Sequence, residues 1–267
     1  MTVMEPKWKK TRSRIVVKVG SSTLSYRNGK INLQRIEQLA AELAGIKKSG
    51  HEVILVSSGA IAVGGGLLGL KEKPRALAEK QALAAVGQAE LMKIYQKFFD
   101  SAGQTVAQVL LTRDGLEDEE KRRNARNTLT RLLEMGILPI INENDTVSTF
   151  GIRFGNNDVL AASVAALLQA DLLIILSDIN GLYTADPRTD PSARIIERVE
   201  ELSPEIFRSA GGSGNAFGTG GMAVKLDAAR ITMEAGIDMI ITNGEDPAII
   251  SQILRGHPAG TLFTPAK

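Results

Sequence analysis

The sequence predicts an α/β protein, a three-layer αβα sandwich around a mostly parallel central sheet. Three observations carry that prediction. Apolar, β-branched runs alternate along the chain with helical patterns, the rhythm of parallel strands joined by crossover helices. Most of those runs are almost continuously apolar, as expected of strands covered on both faces. The 267 residues, 43% of them hydrophobic, are enough for one large core.

The strands are expected at RIVVKV (14–19), EVILVS (52–57), TVAQVLL (105–111), ILPIIN (137–142), LLIILS (172–177) and DMIIT (238–242). Between them the helices have readable ends. Asn32 is a plausible N-cap for a helix that stops at Gly50, Pro74 can open another that stops before Gly103, and the helix around 119–135 ends at Gly136. FGNNDVLAASVAALLQA (154–170) reads as polar residues followed by an apolar helix, with Asn156, Asn157 and Asp158 all good N-caps. No Pro/Ser-rich linker and no internal repeat is present, so a single domain spanning 1–267 is expected.

Composition excludes several classes. The net charge is +2, from 32 basic and 30 acidic residues spread along the chain, without the basic stripe of a nucleic-acid binder. The dense basic patch KWKKTRSR (7–14) reads as a solvated lead-in to the first strand. Cysteine is absent, which rules out disulfides and thiolate chemistry and fits a reducing compartment. No apolar run approaches the roughly 20 residues that span a bilayer, and no apolar signal segment opens the chain. A soluble, cytoplasmic protein is expected.

In an open α/β sheet, ligands bind beyond the carboxyl ends of the strands. The residues after four of the runs are small, polar or charged: Lys18-Val19-Gly20-Ser21-Ser22, Ser57-Ser58-Gly59-Ala60, Asn142-Glu143-Asn144-Asp145 and Ser177-Asp178. Small side chains leave backbone N–H groups open to an anion, although GSS and SSGA, taken singly, also read as ordinary helix N-caps. Lys18 lies within an apolar strand, and a buried ammonium needs an anionic partner; the other reading is a lysine that snorkels to the surface. Asn156, Asn157 and Asp158 in a row exceed what capping requires. Their side chains can receive an ammonium and help position a ligand that carries a carboxylate.

The segment GSGNAFGTGGMAVKLDAARI (212–231) begins crowded with glycine and ends as a helix, with Met222, Leu226, Ala229 and Met233 at spacings that share one face. A side-chain-poor loop can fold over polyphosphate, the helix start adds positive dipole, and Lys225 adds a mobile cation. A surface loop is the alternative. The phosphate-binding loop G-x-x-x-x-G-K-[ST] does not occur. Residues 218–223 match the dinucleotide fingerprint G-x-G-x-x-A, but no clear strand precedes them, and that reading is rejected.

With these residues laid out, the chain resembles the amino acid kinase family over nearly its whole length. The motifs are VVKVGSSTL (16–24), VSSGAIAVG (56–64), KQALAAVGQ (80–88), LLTRDGLEDEEKRRNARNTL (110–129), PIINENDTV (139–147), GLYTADPR (181–188) and GTGGMAVKLDAA (218–229). Within the family, the pairing of INEND with GTGGM-x-x-K and GLYTADPR points to the branch that phosphorylates the γ-carboxylate of free L-glutamate with ATP. That reaction opens proline biosynthesis.

The resemblance implies ATP contacts at Lys18, Gly20, Ser21, Ser177, Asp178, Thr219, Gly220, Gly221, Met222, Ala223, Val224 and Lys225. It implies a glutamate site at Ser58, Gly59, Asn142, Asp145 and Asn157. Lys18 and Lys225 become the transition-state cations, with Asp158 aligning them, and Mg²⁺ arrives on the nucleotide. Feedback inhibition by L-proline and a homodimer or homotetramer are also implied, and the apolar helix 80–95 fits either an interface or the core. Position 156 is Asn where the family pattern has Asp, and Ser177 replaces a common Thr. Many relatives carry a C-terminal domain resembling RNA-modification modules, and none is expected here. The competing readings are a sibling kinase for acetylglutamate or carbamate, separable by comparing free with N-acetylated glutamate, and a silent nucleotide-binding regulator, excluded by turnover. A nicotinamide-dependent oxidoreductase is tested by the absence of NAD binding.

Overall fold

The apolar runs become strands where the sequence places them. The computed structural model describes residues 8, 12–26, 30–70, 72, 74–148, 157–209 and 221–265. Its strands are β1 Arg14–Val19, β2 Glu52–Val56, β3 Val106–Leu111, β4 Leu138–Glu143, β5 Leu172–Ser177, β6 Arg198–Val199, β7 Asp238–Asn243 and β8 Thr261–Phe263. Its helices are α1 Ser21–Leu24, α2 Leu33–Lys48, α3 Ala60–Leu67, α4 Leu77–Ser101, α5 Arg113–Glu117 and α6 Glu119–Glu134. They continue as α7 Asn157–Leu167, α8 Pro204–Ser209, α9 Met222–Glu234 and α10 Ile249–Leu254.

The eight strands form one sheet in the order β3-β4-β2-β1-β5-β7-β8-β6. Every neighbouring pair is parallel except β7 with β8. Successive side chains of a strand face opposite ways, and β1 shows the effect. Ile15, Val17 and Val19 pack with apolar residues of α2, α4 and α10. Val16 points to the other face, among residues of α6, α7 and α9. The result is the expected sandwich, with the sheet buried between two helical layers.

Several helix ends form as read. The Asn32 side chain accepts a hydrogen bond from the Arg35 backbone N–H at 3.0 Å, capping α2, and Gly136 follows α6 in the left-handed region at φ 71°. Pro74 does not open α4. The helix begins at Leu77 after Ala76, which is extended at ψ 140°; proline fits a first turn without requiring one. Asn157 and Asp158 lie in the first turn of α7, and their side chains bond to other elements. β6 and β8, two and three residues long, are too short to show a periodicity, and the sheet edge defines them.

Two glycines bring α3 against α4. A Cβ on Gly87 would lie 1.8 Å from the Ala60 carbonyl oxygen and 2.4 Å from the Gly64 nitrogen, and one on Gly64 would lie 2.1 Å from the Leu83 carbonyl oxygen. Leu83, Ala84, Leu91 and Tyr95 of α4 are buried within the chain itself, so these residues of the apolar 80–95 stretch serve the core.

Candidate active site

β4, β2, β1 and β5 are consecutive in the sheet and parallel, so their carboxyl ends share one edge. The four polar strand ends that the sequence singles out therefore converge.

Lys18 belongs to the Val16 face of β1 and lies in register with Val56 and Ile175. On that face α7 presents Asp158, and α9 presents Lys225 one turn from its start. Lys18 Nζ lies 2.6 Å from Asp158 Oδ1, and Lys225 Nζ donates to Asp158 Oδ2 at 3.1 Å. All three are buried, Asp158 to 1% exposure and each lysine to 7%. Burial by itself pushes the Asp158 carboxyl up. The charges of Lys18 and Lys225, with their hydrogen bonds, outweigh it and hold the group below the ordinary aspartate range. Two ammonium groups share one carboxylate, so the trio carries a formal charge of about +1, an arrangement suited to a further anion.

Beside the trio, Asn157 Nδ2 donates to the Ser57 carbonyl oxygen and to Ser58 Oγ, each at 2.8 Å, and to Asn142 Oδ1 at 2.9 Å. Asn142 Oδ1 also accepts the Glu143 backbone N–H at 2.9 Å, and its Nδ2 donates to Gln88 Oε1 at 2.8 Å. Gly59 turns the chain into α3 with φ 101°, which a residue lacking Cβ adopts freely. Ser58, Asn142 and Asn157, three of the expected glutamate residues, are thus directly joined.

Asp145 sits in the turn after β4 and makes no hydrogen bond to that group among the described residues. Its carboxyl is pushed up to about 6, first by burial and then by the negative charge of Glu143. Glu143 is itself pushed up by burial, an effect that hydrogen bonds from Ser148 and the Arg113 backbone offset only in part.

On the other side, Gly20 precedes α1, and a Cβ there would lie 3.5 Å from Lys18 Nζ. A Cβ on Gly59 would come within 3.9 Å of Ser21 Cβ, so the turns after β1 and β2 are neighbours. Ser177 is at the end of β5, next to β1, and its hydroxyl donates to Asp178 Oδ1 at 3.2 Å. Gly221, Met222, Ala223 and Val224 form the start of α9, which no side chain caps. Thr219, Gly220 and Asn156 lie outside the described residues. His51 precedes β2 and therefore sits at the opposite sheet edge; His257 follows α10.

Sequence reasoning assigned no role to Gln88 or Tyr95. Both project from the buried stripe of α4 toward the strand ends, Tyr95 sharing a 2.8 Å hydrogen bond with Ser57 Oγ. The available signal was a polar residue at helical spacing within an otherwise apolar face.

The chain is similar to known proteins in both sequence and fold. Residues 13–243 match the family model of the amino acid kinases. A glutamate 5-kinase of Clostridium perfringens is 53% identical over 262 residues, covering 97% of this chain and 97% of its own. One from Thermoanaerobacter sp. is 52% identical over 95% of this chain and 68% of its own, and one from Listeria innocua 53% identical over 97% and 95%. Among solved structures, an isopentenyl phosphate kinase superposes with TM-score 0.63 at 16% identity, covering 94% of this chain and 100% of its own. UMP kinase from Bacillus anthracis does so with TM-score 0.63 at 17% identity, over 96% and 97%. These two likenesses bear on the fold alone.

Proposed function

The chain belongs to the amino acid kinase family, and from that premise we infer its reaction: ATP and L-glutamate give ADP and L-glutamyl 5-phosphate, the first step towards proline. The glutamate 5-kinases at 52–53% identity support this acceptor and do not favour a sibling activity. The observation that carries the assignment of residues is the meeting of Lys18 and Lys225 on Asp158.

The chemistry needs no general base. A γ-carboxylate ordinarily has a pKa of about 4.3 and is already an ionised nucleophile at neutral pH. One of its oxygens attacks the γ-phosphorus while the bond to the ADP oxygen breaks, and ADP leaves. Two anions must be brought together in line, so the task is charge neutralisation and alignment. Lys18 and Lys225 neutralise the transferring phosphoryl oxygens, and Asp158 holds both ammonium groups in place. Gly20, Ser21 and the start of α9 from Gly221 through Val224 offer backbone N–H groups to the phosphates, Lys225 adds its ammonium, and the family resemblance assigns Thr219 and Gly220 to the same ligand. Ser177 and Asp178 face the nucleotide from β5. Ser58, Gly59, Asn142, Asp145 and Asn157 hold glutamate.

Asp158 is already shared by two cations, which does not suit a metal ligand. Mg²⁺ is assigned to the nucleotide's own phosphates, and no step is derived through it. A single kinase domain, a cytoplasmic location, a homodimer or homotetramer and inhibition by L-proline complete the proposal. Family resemblance supports them. No helix among the described residues is long and apolar enough to cross a membrane.

Hydroxylamine tests the reaction directly. An acyl phosphate is trapped as the γ-glutamyl hydroxamate in step with ADP release. ADP release from glutamate without hydroxamate overturns the carboxylate acceptor.

A further inference from the structure

We propose that Gln88 of α4 is a positioning residue for the glutamate site: it fixes the orientation of the Asn142 amide and, through it, that of Asn157. The inference rests on the substrate site proposed above and deepens it.

The backbone N–H of Glu143 has no freedom of role. It can only donate, and it lies 2.9 Å from one terminal atom of Asn142. That atom must therefore be the oxygen, since the amide nitrogen accepts nothing. The Asn142 nitrogen must then face the other way, toward Gln88, which accepts from it at 2.8 Å. The Asn157 atom facing Asn142 Oδ1 and the Ser57 carbonyl oxygen meets two acceptors, so it must be the nitrogen.

This polarity limits what the site can hold. The Asn157 nitrogen has two hydrogens and three protein acceptors within 2.9 Å. What Asn157 can offer a ligand is its oxygen, an acceptor. An amino acid's α-ammonium is the complementary group, and the Asp145 carboxylate, three residues after Asn142 in the chain, has the same preference. Without Gln88, the Asn142 nitrogen is buried facing the otherwise largely apolar inner stripe of α4. The amide can then recover a partner only by turning, which places its nitrogen against the Glu143 N–H and the Asn157 nitrogen. Gln88 removes that alternative. It is 9% exposed and Asn142 1%, so water does not readily substitute.

Steady-state kinetics of the full chain test this. Gln88→Met removes the acceptor at nearly constant volume and is expected to raise KM for glutamate about tenfold, the scale of one buried unsatisfied amide. KM for ATP should stay within about twofold, because the lysine trio is untouched. Gln88→Glu keeps an oxygen acceptor and should recover most of the loss. In an Asn142→Ala background, Gln88→Met should add little, because its effect passes through Asn142. Unchanged glutamate KM in Gln88→Met, an equal loss for both substrates, no rescue by Gln88→Glu, or full additivity with Asn142→Ala each overturns the role of Gln88. Should Gln88→Met fail to fold, Gln88→Leu is read in its place by the same criteria, with Gln88→Glu again the rescue. If Asn142→Ala alone leaves glutamate KM unchanged, the substrate site itself is wrong and this inference falls with it.

Discussion

Lys18 Nζ and Asp158 Oδ1 meet at 2.6 Å, although one residue lies in the first strand and the other opens a helix after the fourth. Lys225 closes on the second carboxylate oxygen from a third element. A buried ion pair is weak evidence for stability, because desolvation offsets its attraction. Here an extra cation has been added to the pair, which makes sense for a site that receives an anion.

Removing either cation should therefore abolish turnover more than folding. In Lys18→Ala or Lys225→Ala, Asp158 keeps one partner, and the fold by circular dichroism should persist. The kcat should fall by roughly 10²- to 10⁴-fold, the range for loss of a transition-state cation or donor. Near-normal turnover in either purified variant would refute the assignment.

Asp158→Ala should behave differently, leaving two ammonium groups buried without their shared anion. A destabilisation of about 3–5 kcal/mol is expected, and saturating ATP should restore part of it, since binding to the native state alone raises stability. Denaturant titration with and without nucleotide measures both. In the wild type, the pair's contribution is present above the unfolded aspartate value of about 3.9 and is lost as pH falls below it, because the folded value is depressed. Loss of that contribution near pH 6 contradicts the pairing.

Asp145 has the opposite sign. Its folded value is raised to about 6, so its contribution is full below about 3.9 and disappears as pH rises through 6. Ionised Asp145 then strains the free enzyme at pH 8. Asp145→Asn should raise stability there by on the order of 1 kcal/mol after solvent screening, leave it unchanged at pH 4, and weaken glutamate binding. In the wild type, KM for glutamate should drop as pH rises through 6. A flat profile between pH 5 and 8 rules this out.

The contact between α3 and α4 makes a purely structural prediction. A methyl group on Gly87 would occupy the space of the Ala60 carbonyl, so Gly87→Ala should cost about 3 kcal/mol or more. Gly45 in the last turn of α2 meets nothing within 4 Å, and Gly45→Ala should stabilise by up to about 1 kcal/mol. Thermal melts of the two variants should move in opposite directions.

Much of this was legible because local physics dominates along the strands and at the helix ends. β-Branched runs flanked by polar ends mark β1, β2, β4 and β5, and glycine marks the close of α2 and α6. The misses have the same logic in reverse. Pro74 permits a helix start without demanding one. β6 and β8 exist only because β7 offers β8 an edge to pair with and β8 in turn receives β6. Gln88 looks like one polar residue in a helix until Asn142 is seen beside it.

The sequence by itself determined which residues carry charge at the strand ends and which face of each element is apolar, because alternation and helical spacing are properties of the local chain. Only the tertiary structure decided that Lys18, Asp158 and Lys225 share one point and that the Gln88, Asn142 and Asn157 amides share one polarity. Those facts depend on strand order and on distances between segments remote in the chain, which no local spacing encodes.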